Sequence, residues 1–420
     1  MIAHPAAGTS DAEESRQFPY WRRNLKAQPI ANLLCSLGFA LSWPFLPLML
    51  RGLGVRENLE TWVGYIMLGF NIIGFAISPI WGDIADHYGR KIMVLRAMLG
   101  MGVVMALVPF AQTPLWFAVM VVLVGFFYGY MNASMALLVA NTPPRRIGSA
   151  LAFAQTGGMV GQTIGPAAGA MLAVLIDRQH WLFWISGGLM LSGGALVALF
   201  VREKKQIVAG PWRPDWVGGL RELLAVPHIG PLYLLSFLFA ALWYGNVTII
   251  SIYMLQLLTA QPASAGTEAF WVGAAAMGLA ITSIAAVPMW GRALDHFGPA
   301  RILLFATAAA ALTHAPLLFL QTPLQLVLAR LAFGLTSAAM LPAIIQLVRM
   351  HAPAGRDARA ISYASSFQCI GMGLAPFCAG LIGPVLGLRM YFALCTVLTL
   401  GGLMLWLRRA ARADRTPRLR

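Results

Sequence analysis

The stretch Pro79-Ile80-Trp81-Gly82-Asp83-Ile84-Ala85-Asp86-His87-Tyr88-Gly89 returns in register as Pro288-Met289-Trp290-Gly291-Arg292-Ala293-Leu294-Asp295-His296-Phe297-Gly298. Its Pro, Trp, Gly, Asp, His and second Gly all recur at a displacement of 209 residues. A second block obeys the same displacement: Gln112-Thr113-Pro114-Leu115 recurs as Gln321-Thr322-Pro323-Leu324, and Gly125 as Gly334. Pro166 and Pro376 differ from it by one. Two blocks at one displacement mark an internal duplication of the chain.

What is duplicated follows from composition. Of 420 residues, 59% are hydrophobic and 11% charged, about half the charged share of a soluble domain. A bilayer accepts such a chain because the solvent around its helices is itself apolar. Crossing the hydrocarbon takes about 20 apolar residues. Such runs fall near 28–50, 61–81, 92–111, 114–141, 147–175 and 181–201, then near 228–258, 269–289, 301–320, 323–349, 359–384 and 388–407. The expected fold is an all-α membrane protein of twelve transmembrane helices in two six-helix pseudo-repeats. The halves span 27–201 and 228–407, with tails at 1–26 and 408–420. Residues 202–227 form the long polar linker, which includes Glu203 and an expected surface helix containing Trp212 and Trp216.

The net charge of +15 raises nucleic acid as a partner, but the placement of the charges gives another reason for it. With both termini inside, the cytoplasmic side holds 25 of the 30 Lys and Arg residues. External loops hold Arg51, Arg56, Arg178 and Arg389, and Arg330 lies within a span. That asymmetry is the positive-inside rule, aided by anionic lipid headgroups, so the partners expected are lipid and a small solute. Cys35, Cys369, Cys378 and Cys395 lie in apolar runs and read as packing residues. The first 25 residues lack an apolar signal core, so the first span is expected to direct insertion.

The segment Gly82 to Lys91 resembles the G-x-x-x-D-R-x-G-R-K loop of the major facilitator superfamily, departing only at His87. The resemblance implies a latch between halves at Gly82, Asp86, Gly89, Arg90 and Lys91, with a weaker copy at Gly291, Asp295 and Gly298. In span five, Gly161, Gly165, Pro166 and Gly169 have the four-residue spacing that lets helices pack closely. In that family the same spacing is the antiporter signature of drug/proton exporters. Trp43-Pro44-Phe45-Leu46-Pro47-Leu48 also resembles the bacterial twelve-helix exporters. The resemblance implies an inner-membrane, monomeric secondary transporter with both termini cytoplasmic and the proton as coupling ion.

Arg330 is the one charge placed mid-span, and such residues mark functional sites by default. It falls in span ten, one of the four helices (one, four, seven and ten) that line the family's central cavity. Its counterpart at the repeat displacement is Val121, where exporters of this family often carry an Arg. All fifteen acidic residues fall in tails, loops or span ends, so the cavity lacks the usual attraction for cations. The expected lining is Arg330 with Ser337, Tyr128, Asn132, Tyr244 and Asn246, suited to a neutral or anionic amphipathic solute. His314 is expected to be a satisfied structural histidine.

No P-loop, metal-ligand cluster or nucleophile elbow appears, so neither an enzyme nor a cofactor is expected. The expected activity is export of small amphipathic molecules by alternating access. Two alternatives stand beside it: a dedicated carrier of one siderophore, sugar or organic anion, and a transport-dead scaffold or sensor.

Overall fold

The computed structural model describes residues 18–143, 146–176, 180–203, 216–226, 228–259, 265–353 and 357–413. With no water in a bilayer core to satisfy backbone groups, each span must bond internally, and the described spans are helical. In chain order they are α1 (Trp21–Gly52), α2 (Leu59–Tyr88), α3 (Arg90–Phe110), α4 (Pro114–Asn141), α5 (Ile147–Leu175) and α6 (His180–Phe200). Then come α7 (Ile229–Leu258), α8 (Ala265–Phe297), α9 (Pro299–Leu318) and α10 (Pro323–His351). The last helix, Asp357–Ala413, bends at Gly387 (φ 80°, ψ 154°); its arms before and after that residue are α11 and α12. Within the linker, a short helix covers Trp216–Leu224, while Trp212 lies outside the described residues.

The duplicated stretch is not a loop. Residues 82–88 are the last turns of α2, and 291–297 the last turns of α8. A single glycine makes each connection: Gly89 at φ 107° and ψ 148°, and Gly298 at φ 79° and ψ 156°. Both values lie where a side chain is strained, so glycine reverses the chain in one residue.

The pseudo-symmetry extends to individual hydrogen bonds. Trp81 Nε1 donates to the Phe126 carbonyl at 3.1 Å, and Trp290 Nε1 to the Leu335 carbonyl at 2.8 Å. Thr113 and Thr322 both cap the helix that follows and both precede a proline at its first position, where the missing N–H costs nothing. A Cβ on Gly125 would stand 2.4 Å from the Phe70 carbonyl oxygen, and one on Gly334 2.5 Å from that of Leu279.

Four helices are interrupted in mid-span. A 3₁₀ turn occupies Trp43–Phe45 in α1, where Pro44 removes a donor. In α4 the helix stops at Phe127 and restarts at Tyr130, with Gly129 at φ 105°. A π turn covers Ala241–Gly245 in α7, and α10 breaks between Ser337 and Met340. Irregular backbone at membrane depth survives where protein or a water-filled cavity covers it.

The halves meet along two seams, α2 against α11 and α5 against α8, toward the end where α1 finishes. Thr61 Oγ1 donates to the Gly380 carbonyl at 2.7 Å, and Gly273 packs against Ala170 and the Pro166 carbonyl. One ion pair bridges the halves there, Arg51 Nη1 to Glu268 Oε1 at 3.1 Å. Toward the opposite, linker end, the polar residues Asn132 on α4 and Gln346 on α10 are exposed.

Candidate functional site

The α2–α3 connection is held by an acid from elsewhere. Glu203, just past α6, accepts the Arg90 N–H on Oε1 and the Lys91 N–H on Oε2, each at 2.9 Å. A carboxylate at a helix N-terminus satisfies orphan donors and complements the helix dipole. Arg90 Nη1 reaches the Ala136 carbonyl at 3.1 Å and Lys91 Nζ the Ala198 carbonyl at 2.8 Å, so the basic pair ties α3 to α4 and α6. No local spacing could have revealed Glu203, which is more than a hundred residues away in sequence. Gly82 and Asp86 lie on the last turns of α2, and their surroundings fall outside the described residues. Gly291 and Asp295 occupy the equivalent turns of α8, and both are exposed.

The glycines of α5 face α1. A Cβ on Gly161 would stand 2.6 Å from the Leu33 carbonyl oxygen, one on Gly165 2.5 Å from Ala40 Cβ, and one on Gly169 2.3 Å from the Leu41 carbonyl oxygen. The spacing therefore sets backbone against backbone, with van der Waals contact in place of a hydrophobic drive. Pro166 lies within the same helix.

Beside this seam lies a buried polar network in the N-terminal half. Gln28 Nε2 donates to the Ser134 carbonyl at 2.7 Å, and Asn32 Nδ2 to the Ala154 carbonyl at 3.3 Å. Ser134 Oγ donates to Asn32 Oδ1 at 2.9 Å, and Ser36 Oγ shares a 2.5 Å hydrogen bond with Tyr130 Oη. These bonds pin α1 to α4 and α5 with partners mostly satisfied, as buried polar groups require.

The C-terminal half differs. Arg330 is 1% exposed, and its Nε and Nη1 have no hydrogen-bond partner among the described residues. Its guanidinium lies 5.7 Å from the Phe333 ring centre. The His314 ring, also 1% exposed, stands 5.1 Å from the same Phe333 and 5.7 Å from Phe392. Neither His314 nitrogen has a partner among the described residues, against the expectation of a satisfied histidine. The neighbours recorded for the ring are the aromatic faces and edges of Phe333 and Phe392, which offer no strong acceptor for an imidazole N–H. Asn246 accepts from Tyr391 Oη at 2.6 Å, while its Nδ2 is unpartnered.

The expected cavity residues therefore divide into groups. Arg330 and Ser337 share the buried face of α10, with Ser337 Oγ donating back to the Phe333 carbonyl at 2.5 Å. Asn246 is buried on α7. Tyr128, partly buried at the α4 break, packs against Phe39 and Phe70, with ring centres 5.7 and 5.3 Å away. Asn132, one turn further, is exposed. The side chain of Tyr244 lies outside the described residues.

Comparison with known proteins places this geometry. It has the fold of the nucleoside transporter NupG, with a TM-score of 0.71 at 14% identity, covering 93% of this chain and 98% of that one. A bacterial homolog of the human lysosomal transporter Spinster, solved in an inward-facing and unoccupied conformation, gives 0.75 at 15% identity, covering 94% and 97%. Among sequences, the chain is 30% identical over 385 residues to the multidrug resistance protein MdtG of Yersinia enterocolitica, spanning 90% of this chain and 91% of that protein. MdtG of Escherichia fergusonii is 31% identical over 399 residues, spanning 92% and 94%. The model of the Major Facilitator Superfamily matches residues 30–280 and 232–420. The chain thus belongs to the major facilitator superfamily, and it is a multi-pass secondary transporter and not an enzyme.

Proposed function

We propose that this protein exports small amphipathic molecules across a bacterial inner membrane by alternating access, with the proton as coupling ion. The observation that carries the reading is likeness, over nine-tenths of the chain, to proteins named for multidrug resistance. The backbone-close α1–α5 seam supports it by holding the N-terminal half together as one body. The moving bodies are 27–201 and 228–407, acting as a monomer and joined by the linker 202–227. Both termini, with tails 1–26 and 408–420, face the cytoplasm, so the Arg51–Glu268 end faces away from it. Gly82, Asp86, Gly89, Arg90 and Lys91, with Gly291, Asp295 and Gly298, govern the rocking at the linker end. Gly161, Gly165, Pro166 and Gly169 form the antiporter helix. Substrate enters between Tyr128, Asn132 and Tyr244, with Asn246, Arg330 and Ser337 behind the wall.

A second reading, a carrier dedicated to one anionic or neutral solute, is favoured by Arg330 itself, a buried cation with no carboxylate paired to it among the described residues. Accumulation in inside-out vesicles, with and without a proton gradient, decides between them. Gradient-driven uptake of lipophilic cations and neutral drugs is the expected result. Uptake confined to one anionic class would replace the first reading by the second, and no uptake of any class would sink both.

A further inference from the structure

Three helices of the C-terminal half carry buried side-chain donors that have no hydrogen-bond partner among the described residues and are linked by one run of ring contacts. Arg330 comes from α10, His314 from α9 and Asn246 from α7, at 1%, 1% and 0% exposure. Phe333 touches both Arg330 and His314. Phe392 touches both His314 and Tyr391, with ring centres 5.7 and 5.4 Å apart. Tyr391 in turn occupies the oxygen of Asn246, leaving that amide its N–H₂ side.

The groups left over are Arg330 Nε and Nη1, the N–H that a neutral His314 carries on one nitrogen, and Asn246 Nδ2. The described carboxylates do not serve them: Glu268 is paired with Arg51, Glu203 with the α3 N-terminus, Glu57, Glu60 and Asp295 sit at or beside helix ends, and Glu222 is exposed on the linker helix. A charge removed from water must be matched by an opposite charge or by excellent hydrogen bonding. The Phe333 face supplies only a weak substitute. A water molecule would meet the donors but not the charge. The complement of several donors and one fixed positive charge is an acceptor-only group of charge −1. Nothing in the fold demands this arrangement, because the N-terminal half places apolar Val121 and Met105 at the corresponding positions, both nearly inaccessible.

We propose that the interior of the C-terminal half is a binding site for a small monovalent anion, held by Arg330, His314 and Asn246. The anion is either an inorganic ion such as chloride or the carboxylate of a solute, and both present the same acceptor chemistry. The proposal does not rest on the export reading, because occupancy is measured without transport.

The test is thermal unfolding of the purified full-length protein in detergent. At constant ionic strength, sulfate, whose double charge does not match the site, is replaced stepwise by chloride in one series and by benzoate in another. The unfolding midpoint is expected to rise saturably, by about 5 °C at a hundredfold excess over the dissociation constant. Arg330→Met, which keeps the length and drops the charge, is expected to lose that rise. A response to chloride alone identifies an inorganic ion, and a response to benzoate identifies the carboxylate of a solute. Both support the site. A flat wild-type response to both anions overturns it, and this arm stands even if Arg330→Met fails to accumulate. An undiminished rise in Arg330→Met overturns it as well.

Discussion

The two halves agree in their frame and disagree in their interiors. At one displacement the chain repeats a reversing glycine (Gly89, Gly298), a threonine cap (Thr113, Thr322), an indole hydrogen bond (Trp81, Trp290) and a glycine against a carbonyl (Gly125, Gly334). All four devices serve the backbone. The buried side chains follow no such rule. The N-terminal half keeps its polar network among Gln28, Asn32, Ser36, Tyr130 and Ser134, where the other half has Ala339 and Ala343 opposite Tyr130 and Ser134. The C-terminal half concentrates polarity at His314 and Arg330, where its partner has Met105 and Val121. Chain geometry is thus held in common, and interior chemistry is free to differ.

The strongest way to break this contrast is to move the charge. Val121→Arg would bury a guanidinium in the N-terminal half with no acceptor and no anion provided for it, at a cost on the order of 3–5 kcal/mol. The expected result is a large fall in the yield of monodisperse protein and in its unfolding midpoint. Wild-type stability would mean that the N-terminal interior is not dry, and the contrast would fail.

Next in size are the seams where each half packs its first helix. A Cβ on Gly157 would stand 2.1 Å from the Pro29 carbonyl oxygen, and one on Gly371 2.2 Å from that of Phe237. Gly157→Ala and Gly371→Ala are each expected to destabilise by about 1–3 kcal/mol, read as paired shifts in unfolding midpoint. Tolerance of only one of them would show that the seams are not equivalent.

A smaller pair tests the indoles. Trp81→Phe and Trp290→Phe each remove an indole donor from a part-buried carbonyl, for about 1 kcal/mol, although the Phe126 carbonyl keeps a longer bond from Arg96 Nη1 at 3.4 Å. Trp81 also lies under the Arg96 guanidinium, 4.0 Å from its ring centre, so its substitution is expected to cost the more. An equal loss would remove the cation–π contact from the account.

The smallest effect separates the caps. Thr322 forms a full capping box with Gln325, whereas Thr113 accepts from the Trp116 N–H alone. Thr322→Ala is expected to cost about 1 kcal/mol and Thr113→Ala less. The reverse order in a melt would unseat the box.

The frame was legible in the sequence because its devices are local. Proline, glycine and threonine at fixed spacing fix where helices start, approach and reverse, and span length reports bilayer thickness. The extent of α2 departs from that local reading: Gly82 to Tyr88 reads as a polar loop, yet the helix runs to Tyr88 and Gly89 breaks it. The interior was less legible. Arg330 stood out because a charge in an apolar run is costly, but its enclosure with His314 depends on three helices meeting. The clamp of Glu203 on α3 joins residues that no periodicity links. His314 looked like an ordinary core histidine, because sequence carries no record of which nitrogens go unpaired.

The bridge from Arg51 to Glu268 has a consequence for how the molecule divides its time. A partly exposed ion pair of this kind contributes about 0–1 kcal/mol, which is at most about a fivefold bias between two populations. Its attraction fades over about 10 Å at 0.1 M salt and about 3 Å at 1 M. A cell moved from fresh water to brine would thereby retune the duty cycle of the same protein, with no change of sequence and no dedicated sensor.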